Sequence, residues 1–102
     1  VAMVETKAGL LAVEEIAATP GIDAILIGPA DLGSSLDLTG ASTELAQAIA
    51  HIRDATLAAG KHAGIHCADA ADVERRADEG FRLLPASIDA VLLVGAAMPV
   101  FR

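Results

Sequence analysis

The chain has 102 residues, of which 54% are hydrophobic and 21% are charged, and its formal net charge is −7. This length fits one domain or part of one. The hydrophobic fraction is that of a globular chain with a core, which excludes a fully disordered protein. The excess of acidic over basic residues and the presence of only two aromatic residues argue against a nucleic-acid partner. No apolar run approaches the ~20 residues that are needed to cross a membrane.

The amino-terminal part of the chain contains two apolar runs that predict buried strands. The first, Val1–Val4, precedes a predicted helix over Gly9–Ala18, which the sequence Thr19-Pro20-Gly21 ends because proline cannot continue a helix. The second run, Ala24–Ile27, stops at Gly28-Pro29. A strand followed by a helix is therefore the expected repeating unit.

The same rhythm continues after a polar, glycine-containing stretch, Gly33–Ser42. The predicted elements are a helix over Thr43–Ala59, a strand over Lys61–His66, a helix from Asp69 to Gly80, and a strand over Phe81–Leu84. The tail, Ile88–Phe101, could contain a strand at Val91–Val94. Its alanine content, with Ser87 or Asp89 as the N-cap, favours a helix.

Four such units in 102 residues predict a parallel α/β sheet, because each helix returns the chain to the same edge. Two architectures fit: a small doubly wound sheet, or one half of an eight-stranded (β/α)₈ barrel. In both, functional groups lie at the carboxyl ends of the strands. We treat residues 1–102 as one partial domain without a linker, and the start at Val1 without a Met indicates a fragment.

Two carboxylates follow the first two predicted strands. Glu5 comes directly after the first strand, and Asp31 lies shortly after the second. Carboxylates at neighbouring strand ends can bind one hard divalent cation and leave positions for water and substrate. The Gly28-Pro29-Ala30 sequence beside Asp31 predicts a tight turn whose N–H groups could face an anion. The alternative is structural: Glu5 caps the next helix, and Asp31 is a turn residue.

A specific pattern is present in three segments: Met3-Val4-Glu5-Thr6-Lys7-Ala8-Gly9, Pro20-Gly21-Ile22-Asp23-Ala24, and Ile27-Gly28-Pro29-Ala30-Asp31-Leu32. In these segments the chain resembles the HpcH/HpaI aldolases, metal-dependent pyruvate aldolases with a (β/α)₈ barrel that are grouped with citrate lyase β-subunits. The resemblance covers nearly the whole chain and matches the carboxyl-terminal half of the barrel. It implies that Glu5 and Asp31 bind the metal, and that the N–H groups of Ala30 and Asp31 hold the carboxylate of pyruvate.

The resemblance also implies a function. A metal-dependent class II aldolase would cleave or form 4-hydroxy-2-oxo acids, with pyruvate and an aldehyde as the partners and Mg²⁺, Mn²⁺ or Co²⁺ as the cofactor. The family's catalytic His and substrate-binding Arg lie on earlier strands, so we expect neither in this chain, and we expect the isolated chain to be inactive. Met3 stands where many members carry a substrate-contacting Gln. Two alternatives stay open: an acyl-CoA lyase like the citrate lyase β-subunit, and a non-catalytic half-barrel that needs a partner chain.

Two further residues have weaker patterns. His66 ends the third predicted strand, where it either lines the substrate pocket or is a polar residue of the rim. Cys67 is the single cysteine and has no paired His or Asp motif, which favours a small buried apolar side chain. One cysteine cannot form an internal disulfide and suits a reducing compartment, so we expect a cytoplasmic protein. A homo-oligomer is also expected.

Overall fold

The computed structural model describes residues 1–38 and 42–101, and within these ranges the chain forms one parallel sheet with flanking helices. The elements in chain order are β1 (Ala2–Val4), α1 (Lys7–Leu11), α2 (Val13–Ala18), β2 (Ala24–Ile27), α3 (Pro29–Ser35), α4 (Thr43–Ala58), β3 (His62–Ile65), α5 (Ala70–Asp78), α6 (Asp89–Ala97) and a final 3₁₀ turn (Met98–Phe101). The predicted α/β fold class is confirmed. Among the described residues, no helix is both long and apolar enough to span a membrane.

The strands lie in sequence order, β1-β2-β3, and both pairings are parallel. A doubly wound sheet reverses its direction of growth partway across, whereas a barrel adds each new strand on the same side of the last. The order in the described part of the chain is the one that a barrel segment requires, and one half of a doubly wound sheet shares it over three strands.

The fourth predicted strand, Phe81–Leu84, does not form as a strand among the described residues. One isolated parallel bridge joins its Leu83 to Gly64 of β3, and a second joins Ala86 to Cys67 just beyond β3. Proline cannot donate a ladder hydrogen bond, and Pro85 lies between the two bridges. Leu83 approaches the backbone of Gly64 so closely that position 64 requires glycine, since a Cβ there would lie 2.9 Å from the Cβ of Leu83. The segment still runs beside β3, where a fourth barrel strand belongs.

The core lies on one face of the sheet. The fully or almost fully buried strand residues on this face are Val4, Ile25, Ile27, Ala63 and Ile65. They pack in one cluster with buried residues of α2 and α4 and with Phe81. The opposite face is more open, since Met3 is 54% exposed and Leu83 is 37% exposed. In a closed barrel that second face is the interior.

One helix was not anticipated from the sequence. The residues after Gly28 form α3, with Pro29 at its first position and Asp31 in its first turn. Proline suits the start of a helix because its fixed φ is already helical and its missing N–H has no intrahelical partner there. The predicted polar stretch Gly33–Ser42 thus begins as helix, and its residues 39–41 lie outside the described residues.

The helical interpretation of the tail is confirmed by α6, although its N-cap is Ile88 rather than Ser87 or Asp89. Ser87 instead adopts a positive φ of 72° just before the helix. The helix is apolar and stands away from the core: Leu92 is 63% exposed and Leu93 is 72% exposed. Exposed side chains of this kind are typical of a surface that another part of a protein covers.

We expect a polypeptide of these 102 residues to associate with itself. Covering apolar surface contributes about 25 cal/mol per Å², so several exposed aliphatic side chains represent several kcal/mol, comparable to the roughly 5–15 kcal/mol stability of a domain. Sedimentation equilibrium should show a mass that rises with concentration. The double substitution Leu92→Glu and Leu93→Glu should weaken the association, and Gln47→Glu on the exposed side of α4 should not. A well-packed monomer at all concentrations would contradict this expectation.

Candidate functional site

A row of three residues continues the strands at their carboxyl ends. Val4 is paired with Ile27, and Ile27 with Ile65, so the next position on each strand places Glu5, Gly28 and His66 side by side. Backbone hydrogen bonds extend the ladder into this row, with Gly28 N donating to Val4 O at 3.4 Å and His66 N donating to Ile27 O at 3.1 Å. The register therefore assembles the row from three separate parts of the chain.

Glu5 does not cap the following helix. Thr6 is the N-cap of α1, and its Oγ1 accepts a hydrogen bond from Gly9 N at 3.0 Å. The structural alternative for Glu5 is therefore wrong, because the capping position is already filled. The Glu5 carboxylate instead lies over Gly28, where a Cβ would come within 3.0 Å of Glu5 Oε2. Glycine at position 28 makes room for this carboxylate.

Asp31 lies in the first turn of α3, a position where the helix dipole favours an acidic side chain. The expectation of a tight turn at Gly28-Pro29-Ala30 is wrong, since this sequence opens a helix. The side chains of Glu5 and Asp31 make no hydrogen bond or ion pair within residues 1–38 and 42–101. Both carboxylates thus keep their oxygens available to a ligand at the same edge of the sheet.

Two backbone donors lie beside Asp31. The first N–H groups of a helix have no intrahelical acceptor. At the start of α3, the N–H of Gly28 is bonded to Val4, Pro29 has none, and Leu32 N donates back to Gly28 O at 2.9 Å. This leaves the N–H groups of Ala30 and Asp31 without an acceptor in the described part of the chain. They are the two groups that the resemblance assigns to a substrate carboxylate.

The donor set at this edge is small. Within the described ranges, no group of three or more His, Cys, Asp or Glu side chains is arranged to hold a metal ion. A site here would therefore rest on two carboxylates and fill its remaining positions with water and substrate oxygens. Mg²⁺ commonly binds proteins in this way, through one or two carboxylates.

The other singled-out residues lie around this edge. His66 is partly buried, and its Nε2 is shielded from solvent without a hydrogen-bond partner among the described residues. Cys67 is fully buried, its Sγ lies 3.4 Å from Ile65 O, and burial raises the pKa of its thiol. The expectation of a small buried apolar side chain is confirmed. His51 lies away from the row, where it pairs with Glu14 at 3.2 Å.

A cluster of charged residues lies at the start of α5, after the loop that follows His66. Asp69 caps α5 by accepting from Asp72 N at 2.9 Å, and Asp72 accepts from Ala68 N at 3.0 Å. This backbone hydrogen bond, together with the neighbouring guanidinium of Arg75, lowers the pKa of the Asp72 carboxyl. The near-reciprocal pair resembles a capping box and fixes the start of α5 beside the site.

A comparison with protein families matches residues 1–95 to the model described as HpcH/HpaI aldolase/citrate lyase. Among curated relatives, a hydroxypyruvate/pyruvate aldolase from Chromohalobacter salexigens is 45% identical over 100 residues, which cover 96% of this chain and 39% of that protein. The chain thus spans about two fifths of the length of such a relative.

Solved structures of the same family are also similar to this chain. A HpcH/HpaI aldolase/citrate lyase family protein from Burkholderia cenocepacia superimposes with a TM-score of 0.88 at 36% identity, covering 97% of this chain and 39% of that one. A citrate lyase β subunit from Mycobacterium tuberculosis, solved with oxaloacetate and magnesium, superimposes with a TM-score of 0.70 at 26% identity, covering 86% of this chain and 46% of that one.

The lowered pKa of Asp72 generates a prediction on stability. A carboxylate whose pKa is lower in the folded state stabilises the fold above its unfolded pKa, and this stabilisation is lost as the pH falls through the folded value. We expect Asp72→Asn to lower the free energy of unfolding by about 1 kcal/mol at neutral pH. The difference in unfolding free energy between the variant and the wild type should shrink below about pH 4. Urea unfolding across pH measures this, with Asp78→Asn on the same helix as the control. A stability difference that stayed constant down to pH 2 would show that the ionised Asp72 carboxylate is not the stabilising group.

Proposed function

The chain belongs to the HpcH/HpaI aldolase/citrate lyase family, and from that premise we propose that it carries the metal-binding edge of a class II aldolase. The reaction would cleave or form a 4-hydroxy-2-oxo acid, with pyruvate or a related 2-oxo acid and an aldehyde as the partners. The observation that carries the proposal is the pair of carboxylates that follow β1 and β2, Glu5 and Asp31 in the first turn of α3, which have no hydrogen-bond or ion-pair partner among the described residues. The curated relative named hydroxypyruvate/pyruvate aldolase supports the same reaction class.

The residues present fit a divalent cation. Two carboxylates supply hard oxygen ligands, which suit Mg²⁺ or Mn²⁺ and also admit Co²⁺. Gly28 provides the space for the Glu5 carboxylate, since a Cβ would approach Oε2 to 3.0 Å. The magnesium in the citrate lyase β subunit supports a divalent ion in the family. When bound, such an ion supplies Lewis-acid polarisation of the 2-oxo group of the substrate.

The chain's own groups would bind and orient the substrate. The N–H groups of Ala30 and Asp31, at the positive end of the α3 dipole, would donate to the substrate carboxylate, because hydrogen bonds to an anion are stronger than neutral ones. We assign no proton-transferring residue to the described part of this chain. In the proposed enzyme, that His and the substrate-binding Arg come from the amino-terminal half of the barrel.

An acyl-CoA lyase would share the two carboxylates but would also need basic side chains for the CoA phosphates. In the described part of the chain, α5 offers two arginines, and both are engaged: Arg75 pairs with Asp72, and Arg76 pairs with Glu79 at 3.0 Å. We therefore favour the aldolase. The third possibility, a half-barrel without catalysis, predicts no turnover from the protein in its natural length.

The metal proposal is tested by neutralising each carboxylate in the protein of natural length. Glu5→Gln and Asp31→Asn should each lower Mn²⁺ affinity at least tenfold in calorimetric titration and abolish Mg²⁺-dependent pyruvate release, because a neutral amide is a poor ligand for a hard cation. Asp23→Asn, which changes an exposed carboxylate just before β2 at the opposite end of the sheet, is the matched control. Unchanged turnover in both site variants would refute the proposal.

The close approach at Gly28 generates a second test. In Gly28→Ala the new methyl group would meet Glu5 Oε2 at 3.0 Å, so the carboxylate must move. We expect about tenfold weaker Mn²⁺ binding, with a free energy of unfolding within ~1 kcal/mol of the wild type, because the backbone φ of −101° is accessible to alanine. Gly95→Ala, where a Cβ meets no atom within 4 Å, is the control. Wild-type metal affinity in Gly28→Ala would show that this contact does not matter.

A further inference from the structure

A hydrogen bond links the segment after β1 to the end of α3. Lys7 N, the first N–H of α1, donates to Ser35 Oγ at 2.9 Å, although the two residues are 28 positions apart. The first N–H groups of a helix have no acceptor within the helix, so this donor needs a partner from elsewhere. The N-cap Thr6 accepts from Gly9 N instead. Ser35 therefore caps α1 from a different helix.

This bond is one of two that hold the loop carrying Glu5. Before Glu5, Val4 O accepts from the N–H of Gly28, the N-cap of α3, at 3.4 Å. After Glu5, Lys7 N donates to Ser35, the last residue of α3. The chain is therefore attached to both ends of α3, once on each side of Glu5.

The same bond sets which side of α3 faces this loop. Asp31 and Ser35 are four residues apart in α3, and residues at this spacing lie on one face of a helix. Since Ser35 contacts the backbone of Lys7, that face is turned to the segment after β1, and Asp31 lies on it one turn earlier. The carboxylates of Glu5 and Asp31 have no hydrogen-bond or ion-pair partner among the described residues. The backbone therefore sets how far apart they lie.

We propose that Ser35 is a positioning residue for the metal site, whose hydroxyl group holds the loop that carries Glu5 against the helix that carries Asp31. The inference rests on the proposed function, in which both carboxylates bind one cation. Residues that orient metal ligands without touching the metal commonly contribute tenfold or more to metal affinity. Ser35 acts through the backbone, and its hydrogen bond is exposed to competing water. The expected contribution is therefore that of one hydrogen bond, about fivefold in Mn²⁺ affinity.

The test measures Mn²⁺ affinity by calorimetric titration in the protein of natural length. Ser35→Ala should weaken Mn²⁺ binding about fivefold, because the loop that carries Glu5 loses one of its two attachments to α3. The kcat for pyruvate release at saturating Mn²⁺ should stay within about twofold of the wild type, since both carboxylates remain. Ser35→Thr, which retains the hydroxyl group, should keep the affinity of the wild type.

Two other serines provide matched controls. Ser42→Ala removes a bond of the same kind, from Leu45 N to Ser42 Oγ at 3.0 Å, at the start of α4. Ser34→Ala changes the neighbour of Ser35, whose hydroxyl group makes no hydrogen bond to another described residue. Both variants should bind Mn²⁺ like the wild type. Urea unfolding of Ser42→Ala and Ser35→Ala shows whether the two variants lose similar stability while only one loses metal affinity.

The outcomes separate the two proposals. A wild type that binds no Mn²⁺ overturns the proposed function, and this inference with it. A wild type that binds Mn²⁺ with an affinity that Ser35→Ala leaves unchanged overturns the inference alone. An equal loss of affinity in Ser42→Ala or in Ser35→Thr also overturns it, because the Ser35 hydroxyl group is then not the cause. If Ser35→Ala does not fold by circular dichroism, Ser35→Cys decides in its place, because a thiol is only a weak hydrogen-bond acceptor.

Discussion

The parallel register of β1, β2 and β3 is the constraint on which the rest of the site depends. Pairing Val4 with Ile27 and Ile27 with Ile65 aligns the carboxyl ends of the strands to within one residue. Because side chains alternate along a strand, a slip of one residue would turn Glu5 and His66 to the opposite face. The register is held by burial, since Val4, Ile27 and Ile65 have no exposed surface. The hydrophobic core thus places the polar groups.

Backbone geometry after β2 provides the second half of the site. Gly28 leaves room for the Glu5 carboxylate, and Pro29 starts a helix at once. Two N–H groups and the Asp31 carboxylate are then presented together at the rim. In the proposed function, this arrangement would place two donors for an anion and a carboxylate for a metal ion within one helical turn.

The sheet is covered on one face only within the described residues. The helices α2 and α4 bury the outer face, while Met3 and Leu83 remain exposed on the inner one. A closed barrel would bury that inner face, and the relatives are about two and a half times longer than the matched region, which is 39% of one of them. In the proposed enzyme, the other half of the barrel would supply both this cover and the catalytic groups.

Much of the fold and part of the site could be predicted from the sequence. Continuous apolar runs located the three strands, and the pattern of Ile27-Gly28-Pro29-Ala30-Asp31-Leu32 with Glu5 identified the family. The helix α3 was not predicted because Gly33, Ser34 and Ser35 have low helix propensity, although Pro29 at its first position is a helix-start signal that could have found it.

The sequence by itself determined which residues are available for chemistry, namely two carboxylates after two apolar runs and a histidine after a third. Only the tertiary structure decided how these groups lie together. The tertiary structure superimposes on a solved member of the family, which supports a barrel segment, and Thr6 took the capping position that Glu5 could have filled. That His66 Nε2 has no hydrogen-bond partner among the described residues also became evident only there. The physical reason is that strand order, register and burial depend on contacts between residues that are distant in the chain, whereas a sequence pattern records only local preferences.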